Sequence, residues 1–170
     1  MLAFAEWLQS TRFSITVQSV EWVIPLLQSV HILMIGVVFV STLVVALRVL
    51  GRMRTDETLA LVWGRFGPWI WTALVVMAVT GLLLVIGEPV RQVTALSFWL
   101  KMLLIVVAVV GTAWYSRSFK IAAAAGPASA VPGGAKAAAV ASIALWLAII
   151  FLGRAIAYDS QVWGSLSLDS

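Results

Sequence analysis

The sequence predicts an all-α fold: an integral membrane four-helix bundle with a short N-terminal interfacial amphipathic helix. Three observations lead there. Four long apolar stretches, at about 22–47, 66–87, 97–116 and 137–158, carry at most one charged residue each, and each approaches or exceeds the roughly 20 residues a helix needs to cross the hydrocarbon layer. The chain is 62% hydrophobic and 11% charged, against about 25% charged in an average soluble domain, so lipid rather than water must solvate most of its surface. Most Lys and Arg residues lie between the apolar runs, where orientation signals belong. The 170 residues form one domain, 1–170,.

Residues 2–13 place Phe4, Trp7 and Leu8 at helical spacing with Glu6, Gln9, Ser10 and Arg12 elsewhere, the pattern of a helix lying in the interface. They lack the positive start and cleavage site of a signal peptide. The first span, 22–47, holds no Asp, Glu, Lys or Arg but does hold the only histidine, His31. Pro25 falls near its start, where a missing N–H costs little. GRMRTDET (51–58) breaks the apolar pattern, and Trp63, Trp69 and Trp71 suit an aromatic belt,. The second span, 66–87, has Pro68 in its expected first turn. EPVRQVTAL (88–96) reads as a short turn. Lys101 lies one turn inside the third span, 97–116, from where its ammonium can reach headgroups. RSFKIAAAAGPASAVPGGAK (117–136) reads as a flexible loop. The fourth span, 137–158, carries a stripe of Ala137, Ala141, Ala144 and Ala148, which permits close helix approach in lipid. DSQVWGSLSLDS reads as a polar surface tail.

Orientation follows from the basic residues. Arg48, Arg52, Arg54, Arg65, Arg117, Lys120 and Lys136 lie on one side; Arg12, Arg91, Lys101 and Arg154 lie on the other. Loops 48–65 and 117–136 are therefore expected in the cytoplasm, with both termini periplasmic or external to an inner membrane. The net charge of +4 comes with no basic stripe and no interleaved aromatics, so nucleic acid is not an expected partner. The absence of cysteine excludes disulfides, thiolate metal sites and thioether-linked haem.

HILMIGVVFVSTLVVALRVLG (31–51), TGLLLVIGEP (80–89), FWLKMLLIVVA (98–108) and SIALWLAIIFLGRAIAY (142–158) together resemble an uncharacterised bacterial family of four-span inner-membrane proteins, a domain of unknown function. The sharpest points are His31, Leu47 to Gly51, Thr80-Gly81, Glu88-Pro89, Lys101, Gly153-Arg154 and Ala157-Tyr158. The resemblance implies the fold and the membrane, and no activity. Where members often carry an Asp before the Leu-Arg pair this chain has Ala46, and where they often carry a second His it reads Trp114-Tyr115-Ser116. More loosely, the layout is similar to copper-resistance membrane proteins and b-type cytochromes, which use helix-borne histidines.

Polar groups inside a membrane are costly and usually paired or functional. Gln28 and His31 fall on one side of the first span with Glu21, and His31 lies about 10 Å in from the outer boundary at about 1.5 Å per residue. Glu88, Lys101, Arg154, Tyr158 and Asp159 are expected at a similar depth. Two readings coexist. In the bland one, the charges are boundary ion pairs and headgroup contacts, and His31 is an interhelical hydrogen-bonding residue. In the sharper one, His31 binds a redox cofactor, haem b or quinone, with Lys101 and Arg154 holding propionates or a headgroup, and Gln28 and Tyr158 beside them. As a haem iron ligand His31 leaves the sixth position open, to Met34, Met102 or His31 of a second copy. One imidazole lacks the spacing of a bare metal site, and no phosphate loop, H-E-x-x-H or G-x-S-x-G occurs, so no catalytic residue is assigned. Three classes follow: a cofactor-binding membrane protein with a membrane redox partner; a non-catalytic anchor or accessory subunit, self-associating as a homo-oligomer through the alanine stripe; and a small transporter. The inner halves of the spans lack the polar path a transporter needs.

The topology is testable because the chain has no cysteine. Single cysteines at Thr55, Ser129 and Ser165 should label with an impermeant thiol reagent in intact cells only at Ser165. Labelling at Thr55 and none at Ser165 would reverse the orientation.

Overall fold

The computed structural model describes residues 1–124 and 134–164, the side chains of 118–124 excepted. Among the described residues eight α-helices follow one another: α1 (Leu2–Gln9), α2 (Arg12–Ser19), α3 (Val23–Val49), α4 (Leu59–Gly87), α5 (Pro89–Thr94), α6 (Leu96–Ala124), α7 (Ala135–Ala155) and, after a 3₁₀ turn at Ile156–Tyr158, α8 (Asp159–Trp163). The four long helices form a ring in which α3 packs on α4 and α7, and α6 on α7 and α4. This is the up-and-down bundle that short connections impose. The most apolar windows of these helices reach mean hydropathies of 2.1 to 2.6, yet only 11% to 28% of each is buried inside the protein. Apolar side chains such as Leu33, Val75 and Phe151 point outward. Helices apolar on every side are those that meet lipid.

The helix ends differ from the expected boundaries for local reasons. The expected single helix over 2–13 is two helices, because Thr11 turns extended and its hydroxyl caps α2 by accepting from the Ser14 N–H at 3.3 Å,. The second span begins seven residues earlier than expected, since Thr58 caps it through the Leu61 N–H and Val62 is fully buried behind it. Pro68 therefore lies inside α4 rather than in its first turn, and has no N–H to offer the Gly64 carbonyl,. The expected turn 88–96 contains α5, with Pro89 at its N1 position,. The expected loop 117–136 is helical through Ala124, where successive alanines favour continuation,; its part from 125 to 133, and the tail from 165, lie outside the described residues. Of the alanine stripe, Ala137, Ala141 and Ala144 are exposed, and the buried small residues of α7 are Ala135 and Ala139.

At the end away from the termini, α3 stops at a turn that only glycine makes without strain. Gly51 has φ +70; its N–H donates to Arg48 and the Arg52 N–H donates to Leu47, the paired closure of a helix C-terminus. Glu57 gathers the following turn. Its carboxylate meets Arg54 at 3.0 Å and Arg65 at 3.3 Å, and its carbonyl accepts from Arg48 Nε at 2.7 Å.

At the opposite end the chain termini seal two helix ends. Ser14 on α2 donates its hydroxyl to the Ile86 carbonyl in the last turn of α4 (2.8 Å), a group with no partner inside its own helix. The first turn of α6 follows Ala95, which has no side chain able to cap it. Asp159, expected on a surface tail, is instead buried: its two carboxylate oxygens accept from the Leu96 and Ser97 N–H groups at 2.9 and 2.8 Å. Trp163 Nε1 adds a bond to the Ser97 hydroxyl (2.8 Å). Asp159→Ala should lower stability by about 2 kcal/mol, the upper range for loss of a cap, and Asp159→Asn by less, because one acceptor oxygen remains. Reversible unfolding in mixed micelles checks this; equal stability of Asp159→Ala and wild type would overturn it.

Candidate functional site

The only imidazole of the chain sits nine residues into α3, and Thr80 sits seven residues before the end of α4. At about 1.5 Å per residue the two lie at matching depths of antiparallel neighbours, and they meet: His31 Nδ1 is 2.9 Å from Thr80 Oγ1. Thr80 is buried, and its hydroxyl also turns back to the Val76 and Met77 carbonyls at 2.8 and 3.3 Å. Those carbonyls can only accept, so the single hydroxyl proton belongs to them. Thr80 Oγ1 then accepts from Nδ1–H. The Met77 carbonyl also accepts from the imidazole, so the ring is held by donation toward α4.

Glycines make room for the two polar side chains. A Cβ on Gly81 would stand 3.2 Å from His31 Cε1, closer than most side chains tolerate. On α7, a Cβ on Gly153 would meet the Lys101 chain at Nζ, Cε and Cδ within 3.4 to 3.9 Å. Lys101 thus lies along the glycine face of α7, half-buried, with its ammonium in electrostatic range of the imidazole. His31, Thr80-Gly81, Lys101 and Gly153, separate points in the sequence, form one polar locus between the long helices.

The other expected residues occupy different places. Arg154 and Tyr158 are exposed and pair with each other: Nη2 donates to the phenol oxygen at 3.3 Å and the guanidinium sits 5.2 Å above the ring. Gln28 is exposed one turn before His31, and Glu21 is exposed too. Glu88 pairs locally with Arg91 at 2.7 Å. Asp159 is engaged in capping α6. Among the described residues no three His, Cys, Asp or Glu side chains gather as a metal site. Thr80 went unread as His31's partner; the signal for it was the depth match between α3 and α4.

Four helices apolar enough to span a bilayer, around a polar locus with one histidine, define a small helical protein of membrane type. The chain belongs to a family of unknown function, DUF6644, whose model matches residues 4–159. No curated protein and no solved structure matches it.

If the His31–Thr80 bond joins the helices as described, a double-mutant cycle with His31→Ala and Thr80→Val should give a coupling of about 0.6 kcal/mol, up to about 1.7, the range for side-chain bonds between spans. Strict additivity would show that the contact carries no energy.

Proposed function

We propose that this membrane protein holds a redox cofactor, haem b or a quinone, at His31. The observation that carries the reading is the bond to Thr80. A histidine that ligates iron typically donates its other N–H to a fixed acceptor, which orients the ring and sets the tautomer; a histidine that takes a proton from a quinol hydroxyl needs one ring nitrogen unprotonated. Lys101 supplies the charge for a propionate or a reduced quinone oxygen. Arg154, with Gln28 and Tyr158, stands at the rim in this proposal, Arg154 exchanging its contact with Tyr158 for a second propionate. Met34, one turn below His31, Met102, or His31 of a second copy completes the iron coordination. In this reading the protein shares the helix-borne histidine of b-type cytochromes and copper-resistance membrane proteins. It sits in the inner membrane with both termini outside and loops 48–65 and 117–136 in the cytoplasm, as the distribution of basic residues argues.

A second reading draws on the same bond. His31 and Thr80 tie α3 to α4, and the chain is then an accessory subunit or anchor with no cofactor, associating through the exposed Ala137, Ala141 and Ala144. A transporter is the least supported reading. Val38, Ile70, Ala73 and Ile149 are buried in one layer across the bundle, with no polar group among them to carry a solute past.

Spectra of the purified protein before and after dithionite, with quinone analysis of its lipid extract, decide between the first two. The cofactor reading expects a Soret band or stoichiometric quinone, lost in His31→Ala and weakened in Thr80→Val. A protein with neither, taking up neither haem nor quinone when supplied, is the anchor.

A further inference from the structure

The turn between α3 and α4 gathers more positive charge than it neutralises. Arg48, Arg52, Arg54 and Arg65 stand there against Asp56 and Glu57. Arg54 Nη1 and Arg65 Nη1 converge on one carboxylate oxygen, Glu57 Oε1, at 3.0 and 3.3 Å. The second oxygen, Oε2, is buried and accepts from neither. A guanidinium has five N–H donors, so two of them sharing one acceptor leave most of their donors to water or a ligand.

Arg54 is held there against its own backbone preference. Among the described residues it is the only non-glycine with a positive φ, +51, a region that a side chain makes unfavourable. The Glu57 N–H donates to its carbonyl (3.1 Å), and its guanidinium lies 5.5 Å from the centre of the Phe66 ring on α4. Strain of this kind persists where the surroundings impose it, and it collects at ligand clamps. Its result here is to lay Arg54 against α4 beside Arg65.

The α4 surface next to this pair is apolar and faces outward. Leu61, Arg65 and Trp69 follow one another at one-turn spacing and are all exposed,. Gly64 and Pro68 are exposed between them, and a Cβ on Gly64 would meet nothing within 4 Å, so the face is open there. Val75, Val79 and Leu82 continue it toward the other end of the bundle. A pair of cations, then an indole, then an aliphatic ridge matches the order of phosphate, glycerol and acyl chain along a phospholipid.

We propose that Arg54 and Arg65 bind the phosphodiester of an anionic phospholipid, with Trp69 at its glycerol and an acyl chain along the outer face of α4. A basic pocket at the end of a span recognises such headgroups by charge. Zwitterionic lipid fits less well, because its ammonium would stand among the arginines. A free phosphate would use the same donors but leave Trp69 and the ridge without a role. Arg52 lies outside the Glu57 ion-pair group. The site is at the opposite end of the bundle from His31, and its test does not depend on what His31 binds.

The full chain in maltoside micelles is titrated with dioleoylphosphatidylglycerol, and bound lipid is counted by native mass spectrometry. One lipid should bind ahead of any other, about tenfold tighter than dioleoylphosphatidylcholine, the worth of one charge-assisted bond. Excess inorganic phosphate should not displace it. Arg65→Gln should weaken binding about tenfold with helical content unchanged, since Arg54 stays on Glu57. Arg54→Gln, which leaves Arg65 there, should do the same from the other guanidinium. Arg52→Gln removes an equal charge from the same turn and should change affinity less than about threefold, as an exposed charge does. Equal losses from Arg52→Gln and Arg65→Gln would overturn the proposal by showing diffuse attraction to the turn. Equal affinity for the two lipids would overturn it, as would binding indifferent to both Arg54→Gln and Arg65→Gln. Displacement by inorganic phosphate would overturn it too, by showing a free-anion site.

Discussion

Lipid offers no hydrogen bonds, and that constraint organises this structure. Each polar group on or near a span must find a partner in the chain or reach the interface. His31 finds Thr80, and the first N–H groups of α6 find Asp159. Glu57 gathers two arginine side chains at a turn and accepts from a third through its carbonyl. Association of apolar helices in lipid lacks the hydrophobic drive available in water, so packing and such polar contacts decide register. The register of α3 against α4 is where both coincide: the imidazole lies on Gly81, hydrogen-bonded to the residue before it.

The two ends of the bundle solve the constraint differently. Where the termini lie, polar groups come from far along the chain: Ser14 closes a carbonyl of α4, and Asp159 closes the start of α6. At the other end the contacts are local, made within a few residues of the 51–58 turn. Between them the layer of Val38, Ile70 and Ile149 is tightly buried.

Hydropathy alone was enough to find the spans, because lipid solvation demands long apolar runs whatever the packing. Their ends were less legible. Thr58 and Thr11 act as caps through bonds to N–H groups three residues on, and nothing in an apolarity profile marks that. His31 and Lys101 stood out because imidazole and ammonium are rare inside such runs. Thr80 did not, since threonine is tolerated throughout apolar helices and its importance depends on which helix it faces. Arg154 and Tyr158, one turn apart, had a partner available in each other, and the spacing already contained that alternative.

The reach of Asp159 bears on how the molecule is made. The turn it completes begins at Leu96, and the carboxylate arrives more than sixty residues later, after the rest of α6 and all of α7 have been synthesised. Until then α6 enters the membrane with its leading amide groups bare, free to be held by water or headgroups at the surface. Closure of the last helix is thus also completion of the third, and a chain truncated within α7 would leave two helices unfinished. The segment Asp159–Trp163 is thus as much the beginning of the third span as the sequel of the fourth.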